Sequence, residues 1–291
     1  MKITDLIIKQ QGRSFSVEIF PPRSKRAEDR LLRSLQELEP LNISFISVTS
    51  GAGGGGSKDT AHIVKHIKDE TPLLPMPHLT CIGQSEEQLL AILTDYRDSG
   101  IENILALRGD LPIEGTQPTP LEGEYRYASD LVQLIASLKT YCIGVGVYPE
   151  GHLESPNLAV DMLHTKEKIE AEADFAITQM FFENHFFYDF VERAEKAGIS
   201  VPIIAGIMPV TDLERINRFS QLCGATLPYP LARRMEEASA FPQEASRIGI
   251  EFTINQCQDL LRNNVKYLHF YSLNRIDIVV EIFNNLGLQN L

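Results

Sequence analysis

Short apolar runs alternate with amphipathic segments along the whole chain. Runs of four to eight residues rich in Val, Ile, Phe and Tyr, each bounded by Gly, Pro or charged residues, predict buried strands. The predicted strands are Phe15–Phe20, Asn42–Val48, Leu73–His78, Ile104–Leu107, Cys142–Val147, Phe175–Gln179, Val201–Ile207 and Lys266–Tyr271. A segment with helical spacing follows each of these strands. The pattern therefore predicts eight strand–helix units.

Helix boundaries are indicated by capping residues and by prolines. Ser85 opens one helix with capping chemistry, and Thr211 is predicted to be the N-cap of another. The predicted helical segments are Lys25–Leu38, Ser57–Lys68, Ser85–Asp98, Ala128–Lys139, Leu158–Glu172, a helix that ends at Ala197, Asp212–Leu222, Pro242–Arg262 and Asn274–Leu286.

Alternating strands and helices are typical of parallel βαβ units. Eight such units in 291 residues predict an α/β fold of the (β/α)₈ TIM barrel type, as a single domain over residues 1–291. The alternative is an open, doubly wound sheet. The period of the pattern alone does not prove that the sheet closes.

Composition and charge exclude several classes of protein. Apolar residues make up 43% of the chain and charged residues 23%, as in ordinary soluble proteins. The net charge of −12 argues against a nucleic-acid partner. The four cysteines form no CxxC pair, so we expect no disulfide framework, no metal site and a reducing cytoplasm. We expect no signal peptide, because the apolar part of the first residues is too short, and no run approaches the ~18 apolar residues of a membrane span.

The ends of the predicted strands carry the candidate chemistry, because a barrel places its active site there. Ile104–Leu107 stops abruptly on Arg108-Gly109-Asp110. The other polar residues at strand ends are Glu18, Thr49, His78, Tyr148, His152, Gln179, Tyr271 and Arg275. Polar residues are common where strands give way to loops. Several of these, however, lie inside otherwise apolar runs, which favours a site.

Glu18 interrupts the apolar run FSVEIF and is followed at once by Pro21-Pro22. Burial at a strand end disfavours the charged form of a carboxyl group, and this suits a general acid. The structural alternative is a salt bridge from Glu18 to Arg108 or Lys25.

The glycine run Gly51–Gly56 satisfies the GxGxxG pattern, follows a strand and opens a helix. It supports an alternative function, an NAD-dependent Rossmann-type dehydrogenase. Four consecutive glycines match many patterns by chance, so a loop over the barrel mouth is the preferred interpretation.

Asp161, His164 and Lys168 are spaced to share one helical face. Such a stripe could hold the ribose, adenine or pyrophosphate of a nucleotide cofactor. A solvated face with an Asp–Lys network is the ordinary alternative. The neighbouring Arg108, Tyr127 and His152 are what support the cofactor interpretation.

Nine short stretches together resemble the methylenetetrahydrofolate reductase family. They run in order from about Val17 to Arg275, eight of them near strand ends and one at the start of a helix, and are jointly specific. The stretches are SVEIFPPR, SVTSGAG, PHLTCIG, ALRGDLP, YASDLV, YPEGH, AITQMFF, IIAGIMPV and LHFYSLNR. The chain resembles the short bacterial form of the family, which has the catalytic barrel without a regulatory domain.

The resemblance implies an oxidoreductase that binds FAD across the mouth of a (β/α)₈ barrel. It implies reduction of 5,10-methylenetetrahydrofolate to 5-methyltetrahydrofolate by NADH or NADPH, in a ping-pong hydride transfer. The positions that match FAD contacts are Thr49, Ala52, His78, Arg108, Gly109, Asp110, Tyr127, Ala128, Tyr148, His152, Asp161 and Lys168, with His164 added from the helical stripe. A homo-oligomer is expected from the family alone.

The resemblance also implies how the catalytic and substrate-binding roles are divided. Glu18 matches the acid that helps to open the folate ring to an iminium cation, and Asp110 matches a carboxylate that stabilises this cation. Gln179, Phe219, Tyr271 and Arg275 match substrate-side positions.

Several positions depart from the family pattern. Ser50 stands where an aromatic residue is common, His164 where Asn is common, Glu167 where Arg is common and Arg215 where Gln is frequent. These changes concern affinity for FAD and folate. A non-catalytic folate- or nucleotide-binding barrel is a third hypothesis.

Overall fold

Eight parallel strands pair in chain order and close on themselves, so that β1 pairs with both β2 and β8. The computed structural model describes residues 1–9, 12–50, 57–110 and 125–288. The strands are β1 Ser14–Ile19, β2 Phe45–Val48, β3 Pro75–Thr80, β4 Asn103–Leu107, β5 Cys142–Val147, β6 Phe175–Thr178, β7 Ile203–Ile207 and β8 Tyr267–Tyr271. The predicted (β/α)₈ barrel is confirmed. The closed sheet gives no support to the open-sheet dehydrogenase, and the Gly51–Gly56 loop lies outside the described residues.

Helices surround the barrel and cover the outer face of its strands. Their bounds are α1 Ile3–Lys9, α2 Lys25–Leu35, α3 Ser57–Glu70, α4 Glu86–Asp98, α5 Ala128–Ser137, α6 Leu158–Glu170, α7 Asn184–Lys196, α8 Leu213–Cys223, α9 Tyr229–Glu237, α10 Pro242–Arg262 and α11 Ile276–Leu286. Ser85 forms the predicted capping box with Gln88 at the start of α4. The N-cap of α8 is Asp212, which accepts from the Arg215 amide, so the prediction of Thr211 was wrong by one residue.

The lower part of the barrel interior is apolar and is sealed from below by α1. Ile3 and Ile7 belong to a buried apolar cluster that also contains Phe45, Met76 and Phe175. The backbone amide of Ile3 also donates to Asn103 Oδ1 at 2.8 Å. The sequence pattern did not predict α1, because a seven-residue helix is too short for its periodicity to stand out.

Residues that follow β8 are hydrogen-bonded to the end of β1 at the top of the barrel. Asn274, in the left-handed backbone region with φ 58°, donates from Nδ2 to the Phe20 carbonyl at 2.8 Å. Its Oδ1 accepts from the Phe20 amide at 2.9 Å. The Ser272 hydroxyl donates to the carbonyl of Glu18. These contacts fix the end of β1, where Glu18 lies, against the end of β8.

Candidate active site

The carboxyl group of Glu18 lies beneath the mouth of the barrel, with its side chain 20% exposed. Its Oε2 is 3.4 Å from His78 Nε2 and 3.8 Å from His269 Nε2. The structural alternative, a salt bridge to Arg108 or Lys25, is not what forms. Lys25 pairs with Glu28, and Arg108 pairs with Glu154.

Two buried imidazoles therefore face the same carboxyl group. His78, at the upper end of β3, is 7% exposed, and burial lowers its pKa while the charge of Glu18 opposes that shift. His269, in the middle of β8, has no exposed surface. Its Nδ1 is 2.7 Å from Ser16 Oγ, and its Nε2 is 3.3 Å from Ser47 Oγ.

Tyr271 extends from β8 over β7 to β6, where its hydroxyl donates to the Thr178 carbonyl at 2.6 Å. Gly206 makes this crossing possible. A Cβ at Gly206 would lie 2.2 Å from the Thr178 carbonyl oxygen and 2.7 Å from Tyr271 Cε2. Burial raises the pKa of Tyr271 well above its usual value, and the charge of Glu18 adds to the shift.

A second group of polar side chains stands at the end of β5 and on α6. The rings of His152 and Tyr148 are nearly perpendicular with centroids 4.7 Å apart, and Lys168 Nζ lies 5.7 Å from the Tyr148 centroid. Lys168 Nζ also donates to the Gly146 carbonyl at 2.6 Å. Burial raises the pKa of Tyr148 to about 12 and lowers that of Lys168 to about 8.

Asp161 is 3% exposed, and only one of its oxygens has a partner. Its Oδ1 accepts from the His152 amide and from the Ser155 hydroxyl, both at 3.0 Å. Its Oδ2 is buried and has no hydrogen-bond partner. His164, predicted on the same face, is exposed and lies 3.0 Å from Glu167. The predicted stripe is therefore divided, with His164 turned to solvent.

Arg108-Gly109-Asp110 follows β4, as the sequence predicted. The Arg108 guanidinium donates to both carboxylate oxygens of Glu154, at 2.5 and 2.7 Å, and this contact lowers the pKa of Glu154. Gly109 has φ +90°, and a Cβ there would lie 2.9 Å from Ile82 Cγ2, so only glycine fits without strain. Asp110 is exposed.

The charges of Glu18 and Asp110 reach neighbouring tyrosines in the mouth. Glu18 contributes to the raised pKa of Tyr271, and Asp110 contributes to that of Tyr148. The two carboxyl groups belong to β1 and to the loop after β4, three strands apart in the closed ring of eight. One mouth thus holds a half-buried carboxyl group and an exposed one.

The remaining predicted site residues lie around the same rim. The Thr49 carbonyl accepts from Thr60 Oγ1, and Tyr127 precedes Ala128 at the start of α5. Gln179 turns its Oε1 back to the Met180 amide at 2.9 Å. Phe219 packs in the apolar cluster of α8, α9 and α10. Arg275 pairs with Asp277 of its own helix at 2.7 Å. Ala52 lies outside the described residues.

Sequence reasoning missed the polar layer below Glu18, formed by Ser16, Ser47 and His269. A signal was present, since Ser16 and Glu18 are two residues apart on one strand and His269 and Tyr271 are two apart on another. Side chains two apart on a strand point to the same face. Polar pairs with this spacing inside apolar strands mark the barrel interior.

Lys168 predicts a measurable pH dependence of stability. Its pKa is lowered in the folded chain, so the unfolded chain binds more protons above about pH 8. The free energy of unfolding should therefore rise with pH from about 8 towards 10, by at most about 1.4 kcal/mol per pH unit. Urea unfolding of the protein and of Lys168→Met measures this slope. Equal slopes in the two proteins would contradict the prediction.

The family model described as "Methylenetetrahydrofolate reductase" matches residues 2–287. The 5,10-methylenetetrahydrofolate reductase of Pectobacterium carotovorum subsp. carotovorum is 38% identical over 280 residues, covering 96% of this chain and 92% of that relative. The enzyme of the same name from Escherichia coli (strain K12) is 37% identical over 274 residues, covering 94% and 90%.

The fold is also found among solved structures. An uncharacterised protein from Clostridium thermocellum, described as binding two copies of 5-methyl-5,6,7,8-tetrahydrofolic acid, aligns with a TM-score of 0.64 and 13% identity, over 99% of each chain. This likeness concerns the fold. Within the described residues, no helix combines the length and the apolar character that crossing a membrane requires.

Proposed function

Because the chain belongs to the methylenetetrahydrofolate reductase family, whose members reduce methylenetetrahydrofolate to methyltetrahydrofolate, we propose that its barrel mouth carries out this reaction with FAD as bound cofactor and NADH or NADPH as electron donor. The observation that carries the proposal is the half-buried carboxyl group of Glu18 at the mouth, which two imidazole nitrogens approach to 3.4 and 3.8 Å. A hydride acceptor that must first become a cation needs such a proton donor.

The residues on the side of β4, β5 and α6 fit FAD. The buried Asp161 Oδ2 has no partner in the protein, and a ribose hydroxyl is a donor that would satisfy it. Gly109 brings bare backbone to the rim, and Lys168 and Arg108 supply positive charge for a pyrophosphate. The residues proposed to hold FAD are Thr49, Ala52, His78, Arg108, Gly109, Asp110, Tyr127, Ala128, Tyr148, His152, Asp161, His164 and Lys168.

When bound, FAD would accept a hydride from the nicotinamide and return it to the folate carbon. The protein's own part is to bind, orient and protonate. Glu18 gives a proton to the folate nitrogen that leaves the ring carbon, and the ring opens to an iminium cation. Asp110, as a carboxylate near that cation, stabilises its charge. The two roles conflict in one carboxyl group, and two carboxyl groups in different surroundings can divide them.

The proposed substrate-side residues are Gln179, Phe219, Tyr271 and Arg275 beside Glu18 and Asp110. The hydroxyl of Tyr271 is anchored to the Thr178 carbonyl on β6, which fixes the position of its ring. It therefore offers a rigid aromatic face. Arg275 must leave Asp277 to reach an anionic substrate group, an exchange that an exposed ion pair permits at small cost.

The absorption spectrum tests the proposal directly. Protein purified or reconstituted with FAD should be yellow. It should bleach on addition of NADH or NADPH under anaerobic conditions, and methylenetetrahydrofolate should restore the colour. A protein that takes up no FAD, or that binds folate without turnover, would favour the non-catalytic binding barrel instead.

Asp161→Asn should weaken FAD binding about tenfold or more. The unpartnered oxygen Oδ2, an acceptor, would be replaced by an NH₂ group, which would face the hydroxyl donors of the ribose. Fluorescence titration of the apoprotein with FAD measures the change. Asp98→Asn, at the exposed end of α4, is the matched control and should bind FAD normally. Equal affinities in the two variants would remove Asp161 from the proposed site.

We expect a cytoplasmic protein that forms homo-oligomers. The first expectation is supported by four cysteines that are all free, as a reducing compartment requires. The second rests on the family alone. Sedimentation of the purified protein would test it.

A further inference from the structure

His269 is a wholly buried histidine in a barrel interior that is otherwise filled mainly by apolar side chains. Its ring stacks on Phe45, with centroids 5.8 Å apart, and meets Tyr271 edge-on at 5.3 Å. These aromatic contacts fix the plane of the imidazole. An apolar residue would fill the same space without the cost of burying polar atoms.

Both ring nitrogens of His269 have polar neighbours. Nδ1 is 2.7 Å from Ser16 Oγ, while Nε2 faces Ser47 Oγ at 3.3 Å and Glu18 Oε2 at 3.8 Å. A hydroxyl can donate or accept, so Ser16 can fix the tautomer of the ring. If Ser16 donates to Nδ1, the proton of the neutral ring is on Nε2, which is within hydrogen-bond distance of Ser47 Oγ and presents its positive end 3.8 Å from Glu18 Oε2.

We propose that His269 is a positioning residue for Glu18. The imidazole keeps the carboxyl group of Glu18 in place at the mouth and stabilises the carboxylate that remains after Glu18 has given up its proton. Ser16 is the second member of this unit, because its hydroxyl keeps the Nε2–H tautomer. This inference rests on the acid role proposed for Glu18. The titratable groups that face His269 are Glu18 from β1, His78 from β3 and Tyr271 from its own strand.

Ser16→Ala tests the proposal with the smallest change, since it removes one hydroxyl and keeps the imidazole. Rapid mixing separates flavin reduction by NADH from flavin oxidation by methylenetetrahydrofolate. Ser16→Ala should slow the second half-reaction about tenfold and leave the first unchanged, because a less stabilised carboxylate makes Glu18 a weaker acid. The alkaline limb of the pH profile of the second half-reaction should move to higher pH.

Ser14→Ala is the matched control. Ser14 lies two residues earlier on the same face of β1 and hydrogen-bonds Ser44, one layer below His269. This variant should keep both half-reactions and both pH profiles. His269→Gln retains a donor and should lose less activity in the second half-reaction than His269→Leu.

The tautomer gives a readout that does not depend on turnover. In protein labelled with ¹⁵N-histidine, the signal that disappears in His269→Gln should show a protonated Nε2 in the wild type and a mixture of tautomers in Ser16→Ala. A ring protonated only on Nδ1 in the wild type would overturn the proposal.

The kinetic outcomes are equally distinct. If Ser16→Ala matches the wild type, or slows both half-reactions equally, His269 is a structural residue and the inference is wrong. If His269 variants fail to fold, Ser16→Ala still decides. If Glu18→Gln itself spares the second half-reaction, the acid role proposed for Glu18 fails, which is a different result from the failure of His269 alone.

Discussion

Glu18→Gln should slow folate reduction about 100-fold or more while leaving flavin reduction by NADH or NADPH at its normal rate. The amide of Gln has the same shape and still reaches His78 and His269, but it has no acidic proton to give to the substrate. General acid catalysis typically contributes 10²–10⁴-fold, so its loss should appear in one half-reaction only. Stopped-flow absorbance of the flavin measures the two half-reactions separately.

The control for this prediction is Glu28→Gln. Glu28 lies on α2, outside the mouth, and pairs with Lys25 and His62. Its replacement should leave both half-reactions unchanged. If Glu18→Gln reduced the two half-reactions equally, its effect would be on FAD or on the fold, and the acid role would be lost.

Gly206→Ala should be severe although it adds one methyl group. The new Cβ would lie 2.2 Å from the Thr178 carbonyl oxygen, which belongs to backbone and cannot turn aside. It would also press on Tyr271, whose hydroxyl donates to that carbonyl. Overpacking of this kind costs about 1–3 kcal/mol or more, and we expect the free energy of unfolding to fall by about 3 kcal/mol.

Gly146→Ala separates this clash from a general effect of adding a side chain to a barrel strand. A Cβ at Gly146 meets only Leu107 Cδ2, at 3.4 Å. Urea unfolding should therefore show a much smaller loss of stability for this variant. If both substitutions lower the free energy of unfolding equally, close packing of Thr178 and Tyr271 on Gly206 is not the cause of the loss.

The sequence predicted the barrel because each unit carries its own local signal. Cys142–Val147 and Pro242–Arg262 have the predicted bounds, since glycine, proline and polar residues end these elements sharply. The missed helices have weaker local signals. α9 begins after Pro228 without a side-chain cap and packs on α10, and α1 packs on residues distant in sequence.

The rim of the site was predictable to a similar degree, whereas the partners of its residues were not. Glu18 stood out as a charge inside an apolar strand. That it faces His78 and His269 follows from barrel closure and strand register, which only tertiary structure supplies. The pairing of Arg108 with Glu154 joins residues 46 positions apart in different loops, and no local pattern indicates it.

The two hydrogen bonds between Asn274 and Phe20 have a consequence for biosynthesis. Glu18 is synthesised long before Ser272 and Asn274, the residues after β8 that fix the end of its strand. A nascent chain that stops before residue 267 contains Glu18 but lacks β8 and the residues after it, which fix the position of Glu18. We therefore expect catalytic competence to arise only after β8 has been made and has paired with β1. A circular permutant in which β8 precedes β1 should change that timing.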